Sequence, residues 1–334
     1  MKYIDMHCDT ITKLYKENGN LASNNFHIDI NKMKKGECLL QNFAIFTKLD
    51  KHDSSFTKAA IDFYKTQMEL NKDSIRQVYK YEDIINNDSQ GYINSMLTLE
   101  EGSVIDGDLD NLKVYYDLGV RMITLTWNYP NGIGYPNIDL SNTQTNTPAD
   151  IPTYRFNTKD GLTDFGKEYV RRCNELGIIV DVSHLSDKGF YDVAELSSKP
   201  FVASHSNARS VCRAGRNLTD DMIIKLAQKG GVTGLNYCAA FIDDDEVIHT
   251  SIENMVKHIR HIVNIGGIDC VGLGSDFDGI DGTILEIGDC SGLPLLYEAL
   301  KKYYSDEDIE KIFYKNVLRV YKECLKWAKW LFLN

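Results

Sequence analysis

The chain has 334 residues, 43% hydrophobic and 25% charged, a balance that suits a globular fold with a substantial core and excludes a disordered chain. Its formal net charge of -11 and pI near 5.2, without any clustered basic excess, speak against a nucleic-acid partner and favour small neutral or cationic ligands. The sequence opens without a basic segment followed by a long apolar one, and its eight cysteines are scattered with no C-x-x-C pair, so a cytoplasmic chain with reduced thiols is expected.

Taken in chain order, eight short apolar runs bounded by turn signals read as strands: "YIDMHCD" near residue 3, "CLLQNFAIF" at 38, "SMLTLEE" at 95, "RMITLTW" at 121, "IIVDVSH" at 178, "FVASHS" at 201, "GVTGLNY" at 231 and "CVGLGSD" at 270. The first puts Asp5, His7 and Asp9 at alternate positions, hence on one face of an extended segment. Between residues 47 and 92, "SSFTKAAIDFYKTQMELNKDSIRQVYKY" reads as one or two amphipathic helices of an outer layer. The polar, turn-rich stretch from Asn128 to Leu162 is long enough to be a functional loop, and it follows the fourth strand, where it can cap a site. Further on, "LTDFGKEYVRRCNELG", "TDDMIIKLAQKG" and "SIENMVKHIRHIVNIGG" are amphipathic and end at glycine, as helices often do. The terminal "CLKWAKWLFLN" is apolar but far shorter than the ~20 residues a spanning helix requires, so it reads as a packing helix and no membrane span is expected.

Eight β-then-α units make a closed parallel barrel, a TIM-like (β/α)8 fold, the economical architecture. An open doubly wound sheet would need a phosphate-binding glycine fingerprint near the start, which this sequence lacks. No linker or internal repeat divides the chain, so residues 1–334 are expected to form a single domain. The barrel reading predicts that reactive groups gather where strands end. His7 with Asp9, Glu100, Trp127, His184, His205, Tyr237 and Asp276 all close such runs, whereas His27, His52, His249, His258 and His261 fall in loops or helices and read as surface or packing residues.

Two histidines from successive strand ends, a His-x-Asp pair and a glutamate supply five nitrogen and oxygen ligands, more than one tetrahedral zinc accepts and suited to two ions sharing a carboxylate. On this reading His7 and Asp9 hold one ion, His184 and His205 the other, and Glu100 bridges, with Asp5 deeper as an outer acceptor. Such a pair activates water for hydrolysis, and Asp276 is the expected general base, with Asp278 its rival. Mixed imidazole and carboxylate ligands favour two Zn2+, and Mn2+ or Co2+ suit the same set.

At "DMHCDT", "TLEEGSV", "ITLTWN", "IIVDVSHLS", "FVASHSNARSVCRAGRNLTDD" and "VGLGSDFDG" the sequence resembles the membrane dipeptidase (renal dipeptidase) family of zinc peptidases, and "FYKNVLRVY" also fits. The resemblance places the family's metal ligands on His7, Asp9, Glu100, His184 and His205 and its acid/base aspartate on Asp276. It implies a zinc-dependent hydrolase of dipeptides that tolerates a D-residue on the C-terminal side, with a homodimer as the expected assembly. An arginine holding the substrate carboxylate falls on Arg216, with Arg209 as the alternative, and Asn236 and Tyr237 are expected to touch substrate. Where animal members carry a histidine this sequence has Trp127, which offers one N–H donor and no charge. "LEEG" leaves Glu100 and Glu101 to be told apart by alignment alone. Two other readings stand beside this one. One is an amidohydrolase-like enzyme of N-acyl amino acids, lactones or cyclic amides, disfavoured because "ITLTWN" has no lysine to bridge metals; the other is a non-catalytic binding barrel.

Overall fold

A computed structural model describes residues 1–48, 53–138 and 156–325. Eight parallel strands close into a barrel: β1 (Tyr3–Asp5), β2 (Cys38–Phe46), β3 (Ile93–Glu100), β4 (Val120–Thr124), β5 (Ile179–Asp181), β6 (Val202–Ala203), β7 (Val232–Leu235) and β8 (Val271–Leu273). Each pairs with its neighbours in sequence, and the ring shuts where β1 meets β8, Asp5 opposite Leu273. All eight runs expected to be strands are strands, mostly apolar and buried on both faces, as a sheet wrapped in helices requires. The helix Asp164–Leu176 ends at Gly177, whose left-handed φ of 80° is one that glycine adopts without steric cost.

Two expectations need correction. The segment after residue 47 is not purely helical: between the helices Ser54–Leu70 and Tyr81–Ser89 lies a three-residue strand, Ile75–Gln77, paired with the start of β3. Strand alternation also does not carry the Asp5, His7, Asp9 trio, because β1 ends at Asp5 and its apolar neighbours Ile4 and Met6 pack into the barrel's inner cluster. The polar Asp5 is nonetheless fully hydrogen-bonded at the β1–β8 seam, accepting from Ser275 N and Oγ and from His7 N.

The inner cluster draws Ile4, Leu40, Met96, Met122, Ile179, Val202 and Val232 from seven strands and is closed by Val317, Val320 and Tyr321 of the helix Asn316–Cys324. Tyr321 Oη donates to Asn42 Oδ1 at 3.0 Å and Asn316 Nδ2 donates to Val271 O at 2.8 Å, so the plug is polar-anchored as well as apolar. This leaves the opposite, C-terminal end of the strands for polar residues. The roots of the loop after β4 are tied over that end: Pro136 bridges Leu185, Ile138 bridges Phe156, and Asn137 N donates to His184 O at 2.7 Å. The rest of that expected cap, residues 326–334 of the expected packing helix "CLKWAKWLFLN" and His52 lie outside the described residues.

Candidate metal centre and active site

Glu100 is the last residue of β3, and the other polar groups sit one to four residues past their strands: His7 and Asp9 after β1, His184 after β5, His205 after β6, Asn236 after β7 and Asp276 after β8. The Glu100 carboxylate faces both ways. Its Oε1 lies 3.0 Å from His184 Nε2 and 3.7 Å from His205 Nε2, while its Oε2 lies 3.5 Å from His7 Nε2. His7 Nε2 is in turn 3.6 Å from Asp9 Oδ2 and 3.8 Å from Asp276 Oδ1. His7, Glu100 and His205, and likewise His7, Asp9 and Asp276, bring ligand atoms close enough to share an ion.

The chemistry of these donors fits metal ions. Both ring nitrogens of His7 and Oδ1 of Asp9 are buried without a hydrogen-bond partner, an arrangement that costs free energy unless something else satisfies them. Gly279 keeps the space open, since a β-carbon there would strike Asp9 Oδ2 and Asp276 Oδ1. The backbone is strained at two of these positions, with φ of 69° at His184 and 63° at Asp276, a region that non-glycine residues enter at a cost of roughly 1–3 kcal/mol and that clusters at functional sites.

Burial disfavours charge throughout the cluster, so neighbours decide each outcome. Burial, reinforced by carboxylate neighbours, pushes Asp9 up to about 6 and Asp276 up to about 7. Burial and the Arg216 guanidinium bring His184 down to about 4, and burial with the nearby His7 holds His205 well below the ordinary imidazole range. Against burial, His7 and His184 pull Glu100 well below the usual carboxylate range. Glu100 and Asp9 likewise outweigh burial at His7 and raise it.

Several ambiguities of the sequence resolve physically. Glu101 turns away into its own loop, where it accepts from Ser103 N, Ser103 Oγ and Asn131 Nδ2, so Glu100 alone of the pair faces the histidines. Arg209 is committed to Asp187 through two 2.7 Å bonds, whereas Arg216 is 2% exposed, bonds His205 O and Ser206 Oγ, and keeps Nε without a partner. Asp278 is engaged by His27 and Thr10, while Asp276 accepts from Asn236 Nδ2 at 2.9 Å. Trp127 stands at the rim with its ring 6.3 Å from that of His184 and 4.9 Å from that of Phe46. Tyr237 is not among the groups brought together: it is fully buried in the apolar core, edge-on to Phe277 at 5.4 Å. The sequence reading also passed over Asn128, whose Oδ1 lies 2.7 Å from His184 Nδ1; its place directly after Trp127 at a strand end was the available signal.

The model of the membrane dipeptidase family, peptidase family M19, matches residues 1–331. The chain is 37% identical over 228 residues to an uncharacterized protein of the pqqA 5' region of Klebsiella pneumoniae, covering 67% of this chain and 79% of that one. It is 28% identical over 309 residues to dipeptidase tcpJ of Claviceps purpurea, covering 89% and 69%. Among solved structures it is similar to a metallo peptidase from Rhodobacter sphaeroides liganded with a phosphinate mimic of the dipeptide L-Ala-D-Ala, with TM-score 0.87 and 26% identity over 97% of this chain and 99% of that one.

Proposed function

Since the chain belongs to the membrane dipeptidase family of metal-dependent peptide hydrolases, we propose that it is a binuclear zinc dipeptidase, tolerant of a D-residue on the C-terminal side. The observation that carries the two-ion reading is the Glu100 carboxylate, which turns one oxygen to His184 and His205 and the other to His7. In this reading His7, Asp9 and Glu100 would hold one ion and Glu100, His184 and His205 would hold the other. The bound ions would polarise the scissile carbonyl and bring the pKa of a water toward neutrality.

The protein's own groups do the rest. Asp276, held by Asn236 at one carboxylate oxygen, takes a proton from the attacking water at its other oxygen and passes it to the departing amine. Arg216, buried and with an unpartnered Nε, anchors the substrate carboxylate and thereby selects dipeptides over longer peptides. Trp127 forms a wall beside His184 and shapes the pocket for a substrate side chain. Tolerance of a D-residue is supported by the likeness to the Rhodobacter sphaeroides enzyme liganded with an L-Ala-D-Ala mimic. No described helix is long and apolar enough to cross a membrane, and all eight cysteines are free thiols, in keeping with a cytoplasmic enzyme; we infer a single barrel domain and a homodimer.

The test is metal content per chain on purified protein, with hydrolysis of an L-Xaa-D-Xaa dipeptide panel before and after chelation. Two ions and chelator-sensitive cleavage are expected. Two ions without dipeptide cleavage would turn the assignment toward N-acyl amino acids, lactones or cyclic amides, and a metal-free active chain would end it.

A further inference from the structure

Beneath His205 lies a buried carboxylate that the reaction does not use. Asp181, at the end of β5, is fully buried and accepts four hydrogen bonds: Ser183 N at 3.0 Å and Ser204 N at 2.8 Å on Oδ1, Thr124 Oγ1 and Ser204 Oγ at 2.6 Å each on Oδ2. Ser204 Oγ is the donor to Asp181 Oδ2, so its single hydroxyl proton is spent there. Ser204 Oγ also lies 2.7 Å from His205 Nδ1 and has only lone pairs left to offer there, so Nδ1 must bear the ring proton and Nε2 is bare. Ser204 is driven against the neighbouring strands to reach this place: a β-carbon at Gly234 or Gly274 would collide with its carbonyl oxygen. Across the cluster Asn128 Oδ1, also an acceptor, sits on His184 Nδ1 and bares His184 Nε2 in the same way. The two bare nitrogens face each other at 3.0 Å beside Glu100 Oε1.

We propose that Asp181, acting through the Ser204 hydroxyl, is a positioning residue that fixes His205 in the Nδ1–H tautomer and aims its Nε2 lone pair, opposite that of His184, at a divalent cation. The inference rests on the metal-centre reading for the identity of what is bound, but the tautomer itself does not. Three electron pairs converging without a proton between them repel one another, so the scaffold is built for the cation rather than adapted to it.

The test uses the full chain labelled with 15N-histidine. After chelation, long-range proton–nitrogen correlation spectra report which ring nitrogen of His205 is protonated, and Co2+ affinity is then read by competition with a chromophoric chelator. The wild-type ring should be protonated at Nδ1. Ser204→Ala and Asp181→Asn should each move His205 toward Nε2–H and weaken Co2+ binding about 10- to 100-fold at one of two sites, with the far-UV circular dichroism retained. Having two variants keeps the test open if one fails to fold. A wild-type ring protonated at Nε2, or both variants with unchanged tautomer and Co2+ affinity, would overturn the proposal. The expected tautomers with no Co2+ uptake by the wild type would leave the positioning role supported and sink the metal-centre reading instead.

Discussion

On the β1–β8 side of the rim, Asp5 accepts from the main-chain N–H of His7, two residues on, and from the N–H and hydroxyl of Ser275, which directly precedes Asp276. On the β5–β6 side, Asp181 accepts from the N–H of Ser183, two residues on, and from the N–H and hydroxyl of Ser204, which directly precedes His205. The two scaffolds share a plan and differ in their finish. Ser275 Oγ turns back toward the main-chain oxygen of His7 at 3.2 Å, whereas Ser204 Oγ touches the His205 ring. One side therefore fixes backbone and leaves the His7 ring without a hydrogen bond and the Asp276 carboxylate to Asn236, while the other fixes a ring through its own serine. The lesson is that a repeated backbone device serves two kinds of reactive group, and only the last hydroxyl decides which.

The sharpest way to break the comparison is at the group that joins both sides. Glu100→Gln removes the negative charge facing all three histidines, and loss of several kcal/mol of charge stabilisation predicts a fall in dipeptidase activity of roughly 10³-fold or more, with fewer ions bound per chain. Asp276→Asn acts on the β8 side only. It should lower kcat by about 10²–10⁴-fold while leaving ion content unchanged, which separates proton transfer from ligation. Arg216→Lys, on the β6 side, should raise KM by about 10- to 100-fold with a smaller change in kcat, as loss of a charge-assisted bond to a carboxylate predicts. The smallest effect lies just outside both. Burial pushes Asp278 up, yet His27 and Thr10 hold its carboxyl below the ordinary value. Its stabilising contribution is thus present above pH about 4 and is lost as pH falls through the lower folded-state value. Urea unfolding at pH 7 and at pH 3 should show Asp278→Asn costing about 1 kcal/mol at the higher pH and less at the lower one.

Much of this was legible in the sequence because a barrel writes its chemistry at strand ends. Eight apolar runs located the strands, and His7, Asp9, Glu100, His184, His205 and Asp276 followed from where those runs stop. What stayed hidden depended on hydrogen-bond partners far along the chain. Glu101 is distinguished from Glu100 by Ser103 and Asn131, and Arg209 from Arg216 by Asp187. That Tyr237 packs into the core while its neighbour Asn236 reaches Asp276 depends on where the chain leaves the strand at Leu235, which the sequence does not mark. The strand Ile75–Gln77 escaped notice because three residues between two helices carry no usable period. Asp181 and Ser204 left a trace that went unused: "DMH" at Asp5 and "DVSH" at Asp181 each set an aspartate shortly ahead of a histidine.

The closure of β1 against β8 has a consequence for when the site comes into being. Asp5 waits for Leu273, so the geometry around His7 and Asp9 is set only when a segment about 270 residues downstream is available. Such a distant pairing adds little entropy cost at equilibrium, because loop closure grows only with the logarithm of length, but it slows the search. On a ribosome adding roughly 5–20 residues per second, the first two candidate ligands to be made spend many seconds without the strand that positions them. The centre is thus among the last parts of the molecule to mature, and a nascent chain has nowhere to hold a metal in its working geometry until the barrel is nearly whole.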